Sequence, residues 1–110
     1  MYNIYLVSTL SDSGKIYKIG YTKRSVEKRV KEFTTGNSND FTIEQVFTCD
    51  KYGTKIEALL HKRFSTCKIK GEWFNLTDDD ASNFILTCEK IESNFKALES
   101  NDIFKKMMGI

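Results

Sequence analysis

The chain opens on a run rich in β-branched and aromatic residues, "YNIYLVST" at 2–9, followed by a polar "SDSG" at 11–14 and a second such run, "KIYKIGYT", at 15–22. Two runs of this kind joined by a Ser/Asp/Gly segment predict an antiparallel hairpin. The period then changes. Val26, Val30 and Phe33 recur at helical spacing behind Ser25, a natural N-cap, and Gly36 stands just past the predicted end. "FTIEQVFTC" at 41–49 alternates and predicts a third strand, after which "KYGTKIEALLHKRFSTC" at 51–67 repeats Ile56, Leu59, Leu60 and Phe64 as a second helix. "EWFNL" at 72–76 is either a fourth strand or a packed loop. Thr77 and Asp80 form a capping box for a last helix over 78–99. The predicted order is β-β-α-β-α-(β)-α, an α+β fold with a small three-stranded antiparallel sheet flanked by helices.

Length and composition limit what such a chain does. At 110 residues it builds one core and not two, so residues 1–110 are read as a single domain. No apolar run approaches the roughly 20 residues needed to cross a bilayer. The start "MYNIYLVSTL" has neither a basic opening nor a small-residue cleavage site, so no membrane role is expected and a cytoplasmic, soluble protein is. Cys49, Cys67 and Cys88 are far apart and form no C-x-x-C, which argues against a disulfide framework or a zinc knuckle and for small buried or half-buried side chains.

Charge adds an asymmetry that the net value of +2 conceals. Residues 1–35 carry seven basic against three acidic side chains, a net +4, whereas residues 76–110 carry four against seven, a net −3. One end of the chain is suited to face a polyanion, or the charges simply belong to a solvated surface. Three polar positions interrupt the pattern. Arg29 falls within the apolar stripe of the first helix, three residues after Val26 and four before Phe33, where it either meets an anion or lays its stem along the core. Glu57 and His61 stand one turn apart on the second helix, where they either bond to one another on the surface or point together into one cleft. A hairpin loop with an even number of residues puts Tyr5, Lys18 and Gly20 on one face, and an odd loop puts Tyr17 and Ile19 there instead. Glycine inside a strand marks a bulge or a close approach by another group.

"NIY" at 3–5, "KIG" at 18–20, Arg29, Glu57 and Asn75 in "WFN" resemble, in order and context, the motifs of the GIY-YIG nuclease superfamily. The resemblance is closest to a phage-borne and meiotically up-regulated-gene-like branch, in which "KIG" replaces "YIG" and an "E-x-x-x-H" helix precedes "GEWF", here Glu57, His61 and residues 71–74. It covers residues 2–76 and leaves 78–99 as a packing helix. The resemblance implies a DNA endonuclease that hydrolyses phosphodiester bonds with Mg²⁺ or Mn²⁺, a phage or mobile-element protein working on nucleoid or host DNA as a monomer or weak homodimer. Glu57 would be the metal ligand, Arg29 a clamp on a non-bridging oxygen, Tyr5 the residue that orients or activates water, His61 a proton relay or phosphate contact, and Asn75 a support of the site. Lys18 stands where the well-studied enzymes have tyrosine. A lysine acts as a base only when its pKa falls by several units, and a nearby phosphate does the reverse, so Lys18 reads as a phosphate-binding ammonium and Gly20 as the place where a DNA strand comes close. Lys15, Lys23, Arg24 and Lys28 complete the expected DNA-binding set. The alternative is a DNA-binding module of the same fold that has lost the chemistry.

Overall fold

The computed structural model describes residues 1–34, 40–99 and 109; the expected stop at Gly36 lies outside them. Strands β1 (Tyr2–Ser11) and β2 (Gly14–Thr22) form the predicted hairpin. Ser11 pairs with Gly14, so the loop holds two residues, an even number, and Tyr5 lies opposite Gly20 and Val7 opposite Lys18. Gly14 has φ +112°, a conformation that side chains disfavour and that lets so short a loop close. Helix α1 (Val26–Thr34) starts as expected, with the Ser25 hydroxyl accepting from the Lys28 N–H at 3.2 Å.

Strand β3 (Thr42–Cys49) adds to the other edge of β1, with a bulge between Leu6 and Val7. Helix α2 (Gly53–Arg63) is shorter than the predicted element; a 3-10 turn, Ser65–Cys67, closes it. Two short strands follow, β4 (Lys68–Lys70) and β5 (Trp73–Phe74). They extend the sheet to five antiparallel strands in the order β3-β1-β2-β5-β4, where three were expected. Strands of three and two residues are too short for alternation to register in the sequence, and β4 is exposed along its whole length.

The last helical segment also departs from expectation. The capping box of Thr77 and Asp80 is present, but the predicted continuous helix divides at Asn83 into α3 (Asp78–Ser82) and α4 (Phe84–Glu99). The cause is Gln45 of β3, whose amide nitrogen donates to the Ala81 carbonyl while its oxygen accepts from the Ile85 N–H at 3.3 Å. A side chain bonded on both sides of the break fixes it there.

Strand β1 is central, and Ile4 through Thr9 are buried without interruption because both of its faces are covered. On one face Ile4, Leu6, Tyr17 and Ile19 pack against Ile56, Leu60 and Phe64 of the α2 segment and Phe84 and Cys88 of α4. On the other Tyr5 and Val7 pack against Val26 and Val30 of α1, with Phe33, Phe41 and Ile43 alongside. Each fully buried Ile, Leu or Phe contributes about 1.5–3 kcal/mol. Cys49 and Cys88 are buried and Cys67 half-buried, all as free thiols. Among the described residues no helix is long and apolar enough to cross a membrane.

Candidate active site

Strand β5 pairs with β2 only at Tyr17 and Lys18. Beyond that point the outer edge of β2 has no strand neighbour in the sheet, so groups from both faces reach it. Tyr5 and Arg29 arrive from the α1 side, Glu57 and His61 from the α2 side.

Tyr5 is 1 % exposed, and its ring lies directly over Gly20. A Cβ added at Gly20 would sit 2.4 Å from the Tyr5 hydroxyl oxygen and 2.6 Å from Cζ. The expectation that Gly20 admits a DNA strand is therefore corrected: the space above it is filled by the tyrosine of the first motif, and glycine is required because no side chain fits beneath that ring. Burial pushes the Tyr5 hydroxyl above its ordinary pKa, while a hydrogen bond from Arg29 opposes that shift. Guanidinium only donates, so the phenolic oxygen accepts and its own proton remains available to a further acceptor. Arg29 also pairs with Glu32 at 3.4 Å and lies over the Phe33 ring. Of its two expected readings, it meets an anion: the guanidinium itself lies over the Phe33 ring and against the Glu32 carboxylate.

Glu57 and His61 face the same space. His61 Nε2 is 3.2 Å from Glu57 Oε1 and 2.9 Å from the Ile19 carbonyl oxygen. A carbonyl can only accept, so Nε2 carries the proton and Nδ1 is the basic nitrogen of the neutral ring. The imidazole stands edge-on to Phe74, centroids 4.9 Å apart, which fixes its plane. Burial raises the pKa of Glu57; Glu72 adds to the rise, and His61 and Lys18 oppose it. The two side chains do bond to one another, as one of the two expectations had it, but at 15 % and 21 % exposure they are half-buried rather than out on the open surface.

Lys18 extends between the rings of Phe33 and Trp73, its ammonium 5.3 and 5.5 Å from their centroids. At its tip it forms an ion pair with Glu72 at 2.7 Å. The ammonium that was expected to face a phosphate thus already has a carboxylate partner. Glu72 is the residue that sequence reasoning missed. It lies inside the quoted "GEWF", but its place depends on the pairing of Trp73 with Lys18, which only the sheet reveals. Donor atoms of Glu57, His61 and Glu72 lie within 4.8 Å of one another, one more carboxylate and one imidazole beyond the single ligand expected. Two carboxylates and an imidazole, half-buried, suit Mn²⁺ as well as Mg²⁺ completed by water.

The other expected residues lie farther out. Asn75 is exposed; its N–H donates to the Cys67 carbonyl at 2.8 Å, and among the described residues no contact joins its side chain to the cluster. Lys15 sits near the hairpin turn on the opposite sheet face from Lys18, paired with Glu44 at 2.9 Å. Lys23 lies over the Tyr2 ring at 4.9 Å, Arg24 pairs with Glu32, and Lys28 is exposed on the first turn of α1. Asn3, where the motif that names the superfamily has glycine, ties three elements: its amide donates to the Arg24 carbonyl at 2.9 Å and accepts from Thr48 at 2.8 Å. A concavity of about 420 Å³ beside Asp50 and Glu92 lies elsewhere. A phosphodiester backbone approaching an open strand edge requires no enclosed pocket.

A model of the T5orf172 domain matches residues 3–91, which reaches past position 76 through α3 and into α4. No curated protein and no solved structure matches the chain.

Proposed function

The chain belongs to the T5orf172 domain family, a GIY-YIG-like and nuclease-related family, and from that premise we propose that it is a divalent-metal-dependent endonuclease that hydrolyses phosphodiester bonds in DNA. We place it in the phage-borne, meiotically up-regulated-gene-like branch that carries "KIG" in place of "YIG". One observation carries the reading: Tyr5 with Arg29, and Glu57 with His61 and Glu72, converge from opposite faces on the part of β2 that follows its short pairing with β5.

Phosphodiester hydrolysis needs a positioned water, a base for its proton and positive charge on the phosphoryl oxygens. Arg29 supplies a guanidinium fork for a non-bridging oxygen, and its interaction with Tyr5 keeps the fork beside the phenol. Tyr5, held rigid between Gly20 and Phe33, orients the attacking water through its free hydroxyl proton. His61 presents Nδ1 as the acceptor of the water proton, its tautomer fixed by the Ile19 carbonyl. Glu57 and Glu72 would hold the cation, beside the His61 ring whose Nδ1 is kept for the water proton. A bound divalent ion supplies Lewis-acid charge at the scissile phosphate.

The alternative, a DNA-binding module without chemistry, draws support from a specific feature. Lys18 replaces the usual tyrosine and is internally paired with Glu72. Incubation with supercoiled plasmid in Mg²⁺ or Mn²⁺ separates the two readings. The parent nicks or linearises the plasmid, and Glu57→Ala or EDTA abolishes cleavage by at least about 10²-fold while retardation in a gel persists. Intact but retarded plasmid with the parent would establish the binding module.

A further inference from the structure

Lys18 and Glu72 form the one ion pair within the cluster that no step of this mechanism uses. The Lys18 side chain is 13 % exposed and its ammonium lies against two aromatic rings, which favours its staying in the cleft. Glu72 is the more exposed partner, at 38 %, and its carboxylate lies near Lys18, Glu57 and His61 at once. One carboxylate thus lies between two competing partners, a fixed ammonium and whatever cation occupies the acidic cluster.

We infer that Glu72 is a latch shared between Lys18 and a divalent cation: cation binding draws Glu72 away and frees the Lys18 ammonium for a DNA phosphate. The charge balance gives the reason. Without a cation, Lys18 is offset by Glu72 and Glu57 adds a second negative charge beside it, so an approaching phosphate meets carboxylates. With a dication on the two carboxylates, the same space presents an uncompensated ammonium, with Arg29 over the same Phe33 ring. Metal and phosphate then favour one another's binding, and Glu72 is the positioning residue that couples them. The inference rests on the nuclease reading for its phosphate, but not for its cation.

Two titrations test it on the full chain. In the first, Mn²⁺ alone is titrated calorimetrically into the parent, Lys18→Met, which keeps the aliphatic stem between the rings, and Lys18→Gln as a second variant. Removing the competing ammonium tightens Mn²⁺ by about tenfold, and Glu72→Gln weakens it by a similar factor. In the second, a fluorescent DNA duplex is titrated in EDTA. Glu72→Gln binds it more tightly than the parent, and adding Lys18→Met to that variant removes the gain. Mn²⁺ affinity that is unchanged or weaker in both Lys18 variants, or absent from all of them, overturns the latch. Failure of every variant to bind DNA overturns the proposed substrate, while the Mn²⁺ titrations still decide whether Lys18 and metal compete for Glu72.

Discussion

At the scale of single residues, the pairing of Tyr5 with Gly20 explains why the two motif positions occur together. The phenol is buried, its ring fills the volume above Gly20, and Arg29 holds its oxygen. Gly20→Ala forces a methyl group against a ring that Phe33 backs on its other side, so the ring must shift or the strand must bend. Such overpacking costs about 1–3 kcal/mol. Urea unfolding of Gly20→Ala should show that loss, and the same change in a Tyr5→Ala background should cost much less, because the obstructing ring is gone. Equal losses in the two backgrounds would mean that Gly20 serves something other than Tyr5. Lys18 shows the limit of reading residues singly. Its type announced a phosphate contact, yet its immediate partner is a carboxylate 54 positions away in the chain.

Elements add what the residues lack, which is direction. The two-residue loop set the face of every side chain in β2, and the odd-loop alternative would have turned Lys18 toward α2. Helix α2 carries Glu57 and His61 to the strand edge because Ile56, Leu60 and Phe64 anchor the face that adjoins them. The division of the last helical segment is likewise decided between elements. Gln45→Ala removes both bonds that hold the break at Asn83 and leaves the Ala81 carbonyl and Ile85 N–H without those partners. We expect a stability loss of about 1–3 kcal/mol, with faster amide exchange at Ile85 as its local signature. Exchange at Ile85 equal to that of the parent would show that Asn83 breaks the helix without help from β3.

At the scale of the whole molecule, the basic N-terminal third divides between the two ends of β2. Lys23, Arg24 and Lys28 lie where β2 passes into α1, whereas Lys15 lies at the hairpin end and is paired with Glu44. Only the first group can follow a DNA strand that crosses the cluster. Lys28→Ala should lower the slope of log affinity against log salt by about one, the counterion released at one phosphate, and Lys15→Ala should leave it unchanged. Equal effects from both would place the DNA elsewhere. The sequence by itself determined the hairpin, the first two helices and the α+β class, and it singled out Arg29, Glu57 and His61 as polar positions beside apolar stripes. Those features rest on local signals of residue type, period and turn chemistry, whereas the roles of these residues and of Tyr5 came only with the family resemblance. Tertiary structure alone decided that β4 and β5 widen the sheet, that Gln45 splits the last helical segment, that Gly20 belongs to Tyr5 and that Glu72 joins the cluster. Each of these is a contact between residues distant in the chain, where the deciding quantity is the space left by packing, and no local pattern encodes that.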